Sequence, residues 1–157
     1  MGIVENVYIP DIDSEASDDL EDYGYDASIF SEIATSESRF KALYQDVMDG
    51  IYAAAAYKNA YERSIESLGY AIKQMNNAKS NIDQITDQNK DEIIAAFISD
   101  SDTFERLKQI SIDKAAEFQT IIDKLNEYKK RIIERNNELA TVKSLAQGIA
   151  YRANNRQ

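Results

Sequence analysis

The chain has 157 residues, 43% hydrophobic and 29% charged, with a formal net charge of −10 and neither Cys nor His. Those absences remove disulfides, thiolate nucleophiles and Cys-based metal sites, along with the commonest general base and metal ligand. With one Pro and five Gly the chain also lacks the turn residues that an all-β protein needs. The expectation is one all-α domain that is not an enzyme and holds no cofactor or metal.

The N-terminal region is acidic. Residues 1–38 carry eleven acids and no Lys or Arg, a net charge of −11, while the remainder carries seventeen acids against all eighteen bases. So much like charge cannot offset its ordering entropy by burial, so residues 1–34 read as a largely extended arm, with a short helix over 27–34. The arm holds two apolar clusters, Val7, Tyr8, Ile9 and Ile12 around Pro10, then Tyr23, Tyr25, Ile29 and Phe30. Of these, Val7, Tyr8, Ile9, Ile12, Tyr23, Tyr25 and Phe30 are candidate contacts for a protein partner, with carboxylates meeting a basic surface. The alternatives are a solubilising tail and mimicry of nucleic-acid charge. Asp11, Asp13 and Glu15 do not make a calcium loop. Counting from Asp11, Ala16 and Asp22 stand where an EF-hand needs Gly and Glu. Met1-Gly2 does not start a myristoylation motif, because Asn6 replaces Ser or Thr.

The pattern then turns helical. Thr35 and Ser36 read as caps, with Glu37 in the first turn. The first seam runs Tyr44, Val47, Ile51, Ala54, Lys58, Tyr61, Ile65, Leu68, Ile72, Met75, Lys79, Ile82, a 3.5-residue rhythm typical of coiled coils. This predicts a long helix over about 36–85. Gly50 and Gly69, which weaken it, mark candidate points of close approach. Polar residues 86–91 suit a turn, the apolar stretch 92–98 a short helix over about 91–99, and Ser99–Asp102 a break with a capping-box spacing to Glu105.

The last helix, over about 103–151, carries Phe104, Leu107, Ser111, Lys114, Phe118, Ile121, Leu125, Tyr128, Ile132, Arg135, Leu139, Val142, Ala146 and Ile149. Ile110, Ile122, Ile133 and Leu145 widen this stripe beyond what one neighbour covers. The expected fold is therefore a long antiparallel helical hairpin or coiled-coil-type bundle with a short connecting helix, over 35–157. The widened stripe implies a third helix or another subunit, with self-association as the default expectation.

Two polar features complete the reading. Lys58, Lys79, Lys114 and Arg135 interrupt the seams, as register-fixing residues or as snorkelling stems; Arg135 could alternatively pair with a carboxylate across the seam. Lys129, Lys130, Arg131 and Arg135 form a compact basic patch, too small in a net-acidic chain to favour nucleic acid. Antiparallel folding would bring the basic C-terminal thirty residues, net charge +5, beside the start of the first long helix, where the acidic arm emerges, so that the arm meets the basic end of its own chain or, as the preferred expectation, of a neighbour. No apolar run is long enough for a membrane span and the start lacks a Sec signal, so the expected location is soluble and intracellular, cytoplasmic or within a virion. In layout the chain resembles virion assembly and scaffolding proteins. The expected function is a self-associating structural protein that docks a larger partner through the arm. An adaptor or chaperone for a helical client and an acidic nucleic-acid mimic are the alternatives.

Overall fold

The structure, a computed structural model, describes residues 2–12, 28–82 and 89–154. Tyr23, Tyr25 and most of the acidic run lie outside those residues, as does most of the connection between the helices. The described residues contain two long helices, α1 (Ser28–Ile82) and α2 (Lys90–Asn154), a 3₁₀ turn at Ile3–Asn6, and no strand. The all-α helical hairpin is what the chain forms. It has two compact units, residues 1–50 with 124–157 and residues 51–123.

Both helices run farther than their local composition indicates. α1 begins at Ser28 rather than near residue 36, and the expected short helix over 27–34 is its opening. Ile29, Ile33, Ser36 and Phe40 are all buried, spaced by four, three and four residues. This is the rhythm of the later seam carried back two turns, so burial outweighs the capping signal of Thr35 and Ser36. Thr35 Oγ1 donates instead to the carbonyl of Ser31 at 3.0 Å, the bond a mid-helix Thr makes to the preceding turn.

The expected short connecting helix over 91–99 is likewise part of α2, which runs unbroken through Ser99–Asp102. Ile94, Phe97, Ser101, Phe104 and Lys108 are half-buried at spacings of three and four, so the inward stripe crosses the polar stretch without losing phase. Asp100 and Asp102 face outward, and Thr103 Oγ1 donates to Ser99 O at 3.1 Å. Weak helix formers are tolerated where the packed face continues.

In the first unit the helices pair antiparallel, since Glu37 meets Lys143 at 3.1 Å while Gly50 approaches Leu125. Phe40, Val47, Ile132, Leu139, Ala146 and Ile149 are buried there. A Cβ on Gly50 would lie 3.2 Å from Leu125 Cδ1, so this glycine does mark a close approach. In the second unit the pairing is again antiparallel, with Lys58 donating to Gln119 Oε1 at 2.6 Å and Gly69 near Lys108. Tyr57 and Tyr61 stack on Phe118, ring centroids 5.3 and 5.9 Å apart. Gly69 has room to spare: a Cβ would meet only Lys108 Nζ, at 3.9 Å.

Candidate interaction surfaces

The first unit has a third element. Residues 2–12 lie against the helix pair, with Val4, Val7, Pro10 and Ile12 buried and Val4 fully so. Apolar side chains at residues 4 and 7 reach the same side because the 3₁₀ turn Ile3–Asn6 brings residues three apart into line. Polar contacts then fix the segment. Arg131 Nε pairs with Glu5 Oε1 at 3.2 Å, and its guanidinium sits 4.7 Å from the centre of the Tyr128 ring. Arg135 Nη2 donates to the carbonyl of Val7 at 3.1 Å, and Ser36 Oγ donates to that of Tyr8. These bonds satisfy backbone carbonyls that an extended segment cannot pair within itself. The seat is imperfect, since Glu5 Oε2 and Arg135 Nε are buried without a hydrogen-bond partner among the described residues.

These placements bear on the residues singled out in the sequence. Val7 and Ile12 are buried within their own chain, Ile9 is half-buried, and Phe30 is half-buried as part of α1. Tyr8, at 58% exposed, and Ile3 point outward from the segment. The basic patch is divided. Arg131 and Arg135, one turn apart, engage the N-terminal segment, whereas Lys130 lies on another side of α2 and is exposed. Arg135 also pairs with Glu138 of its own helix at 2.9 Å, and among the described residues it makes no ion pair with a carboxylate across the seam. Lys58 is half-buried against Gln119 and Glu62, while Lys114 is exposed and pairs with Glu117. On the first unit, Glu37, Phe40, Lys41, Tyr44, Ile132, Ile133 and Asn136 line an open groove of about 510 Å³.

The seams are buried to different depths. In α1, Val47 and Ile72 are buried, Ile51, Tyr61, Ile65 and Leu68 half-buried, and Tyr44 exposed. In α2, one set of heptad positions faces inward throughout: Phe104, Ser111, Phe118, Leu125, Ile132, Leu139 and Ala146 are half-buried or buried. The other set divides. Tyr128, Arg135 and Val142 are half-buried and Ile149 is buried, but Leu107, Lys114 and Ile121 are exposed. Lys108, Ala115 and Ile122, one residue later, turn in instead.

The second unit therefore presents an apolar flank that no described residue covers fully. Leu107, Ile110 and Ile121 are 41%, 47% and 43% exposed. Leu107 and Ile110, with Ala60, Tyr61, Ser64 and Leu68 among others, line a shallow groove of about 620 Å³. The side chains of Ala60, Ser64 and Ser67 on α1 are small, so a neighbouring helix could come near the α1 backbone there. Tyr52, Tyr57 and Tyr70 are also largely exposed. No helix of the described residues is long and apolar enough to cross a membrane.

The sequence reading missed Val4, Ile33, Phe40 and Ala115, all buried. For Ile33 and Phe40 the signal was present in the spacing from Ile29. For Val4 the three-residue spacing to Val7 is too short a pattern to separate from chance. Comparison with known proteins finds no matching family model, no matching curated protein and no matching solved structure.

Proposed function

We propose that the chain is a non-enzymatic structural or assembly protein, scaffold- or virion-like, that self-associates through helix flanks and holds a larger protein through its acidic N-terminal region. The observation that carries this reading is the apolar flank of the second unit, where Leu107, Ile110 and Ile121 stand exposed and the first two line a small-residue groove. Fully burying a Leu or Ile side chain is worth about 1.5–3 kcal/mol, so covering three such partly exposed residues is a substantial drive to associate. The occupant we favour is a second copy. Arm docking to a larger partner falls to the outward residues Ile3 and Tyr8 and to the carboxylates of residues 13–27, which lie outside the described structure.

The test is the solution mass by light scattering at low and high salt. The native chain should form a discrete oligomer, and Leu107→Glu with Ile110→Glu should return it to monomer while keeping its helicity. A native chain that stays monomeric across the concentration range refutes self-association and leaves the adaptor reading, in which the same flank takes a helical client.

A further inference from the structure

Residues 2–12 sit in a groove that the helix pair builds without them. Its polar contacts include the carboxylate of Glu5 on Arg131, the Val7 carbonyl on Arg135 and the Tyr8 carbonyl on Ser36. Nothing in that set requires the segment and the groove to belong to one chain. We propose that in the assembled protein residues 2–12 of one copy seat in this groove of a second copy, so that assembly exchanges N-terminal segments. The proposal rests on the self-association argued above and specifies how it is locked.

Three observations support the exchange. The first is charge. Residues 2–12 hold two acids, Glu5 and Asp11, and no base, and the groove meets Glu5 with Arg131 and the Val7 carbonyl with Arg135, so any copy's segment is complementary to any copy's groove. The second is reach. Residue 5 meets residue 131 and residue 7 meets residue 135, so the segment runs along α2 toward its C-terminal end. Antiparallel pairing, with Glu37 beside Lys143, places the start of α1 at that same end. Residues 12 and 28 thus lie toward one end of the unit, and the fifteen residues between them form a tether long enough to span up to about 50 Å when extended.

The third is the imperfect seat. Glu5 Oε2 and Arg135 Nε are buried and unpaired among the described residues, a cost that is the same in either copy's groove and that eases departure of the segment from its own. In an isolated chain the tether keeps the segment at a high effective concentration over its own groove. Once copies associate through the second unit, a neighbour's groove within tether length competes on similar terms. Exchange then adds a second link between copies without new contacts, and each exchange leaves no groove empty.

The exchange is read by a zero-length cross-link. Arg131→Lys keeps the charge and gives Glu5 an amine to which a carbodiimide can couple its carboxylate, with loss of water to form an amide. Full-length Arg131→Lys is prepared with ordinary and with ¹⁵N nitrogen, mixed in equal amounts, equilibrated and cross-linked, and its peptides are analysed by mass spectrometry. Exchange predicts that peptides joining Glu5 to position 131 occur in mixed isotope as abundantly as in like isotope. Adding Val7→Asp, which unseats the segment in either arrangement, should abolish both. Like-isotope peptides alone overturn the exchange, and so does the absence of any link between Glu5 and position 131. Light scattering on the same mixture separates the two failures: an oligomer with only like-isotope links overturns exchange and keeps assembly, and a monomer overturns both.

Discussion

The two units are cut from the same pair of helices, yet only the first has a third element among the described residues to cover its flank. On α2 the comparison can be made at one heptad position. Tyr128 and Arg135, where residues 2–12 lie against α2, are half-buried, as is Val142, and Ile149 is buried, whereas Leu107, Lys114 and Ile121 are exposed in the unit without such a segment among the described residues. Two helices alone offer little interior. A stripe wider than one neighbour's footprint is either finished by an added segment, as in the first unit, or left for another molecule.

The largest expected difference is in core truncation. Phe40, 1% exposed, should cost about 3–5 kcal/mol as Phe40→Ala, the range for a buried Phe whose cavity does not collapse. Leu107→Ala in the second unit, at 41% exposed, should cost less than about 1 kcal/mol when measured on the monomer. Urea denaturation of both variants checks this. Equal losses would mean that Leu107 is buried in solution, and that the two units do not differ in cover.

Next in size is removal of the covering segment. Val7→Asp places a charge where a buried Val stood, and should forfeit about 1.5–3 kcal/mol of burial as the segment detaches. Hydrogen exchange locates the loss. Amides of α2 around Tyr128–Val142 should gain exchange, while those around Leu107–Ile121 should not change. If both stretches respond alike, the segment supports the whole molecule and the contrast between units fails.

Smaller still is the contrast between two glycines. Gly69→Ala should stabilise by about 0.8–1 kcal/mol, the helix-propensity difference, because the new Cβ meets only the flexible tip of Lys108. Gly50→Ala should gain less, because its Cβ lands 3.2 Å from Leu125 Cδ1 and that side chain must shift. Thermal unfolding of the pair measures how much tighter the helices approach in the first unit.

These contrasts also mark what was readable in the sequence. Helix content, antiparallel pairing and the inward heptad set are legible because apolar spacing repeats over many turns, which averages out local noise. Helix ends were misplaced wherever propensity and periodicity disagreed. Thr35-Ser36 and Ser99–Asp102 carry cap and break signals, but Ile29, Ile33 and Phe40, or Phe97 and Phe104, keep the packed stripe in phase across them. The inward place of Val4 and Val7 was not legible, because composition ranks residues 1–34 as solvated and the partners of Glu5 and the Val7 carbonyl, Arg131 and Arg135, lie at the far end of the sequence. The apolar cluster at the start of the arm was visible, but the acidic average made it read as a surface for a partner, whereas Val7 and Ile12 are buried within the chain.

The smallest effect concerns Lys114, which holds the heptad position in the second unit that Arg135 holds in the first. Arg135 has a carbonyl of the covering segment to bind; Lys114 pairs with Glu117 of its own helix, at 3.1 Å. The hydrogen bond to Glu117, then its charge, raises the Lys114 pKa above the ordinary lysine value, opposed by desolvation, with the smallest contribution, also upward, from Tyr61. A raised pKa favours the folded state fully below the unfolded value of about 10.4, and that contribution is lost as pH rises through the folded value. The pair is exposed, so solvent screening keeps its effect on stability slight. An NMR titration of the Lys114 side chain should give a value above that of an exposed lysine, and Glu117→Gln should bring it down. If self-association covers this flank, removal of water opposes the rise, and the titration should shift downward as protein concentration increases. A value unchanged by concentration would place Lys114, and with it Leu107 and Ile121 on the same helix face, outside the interface.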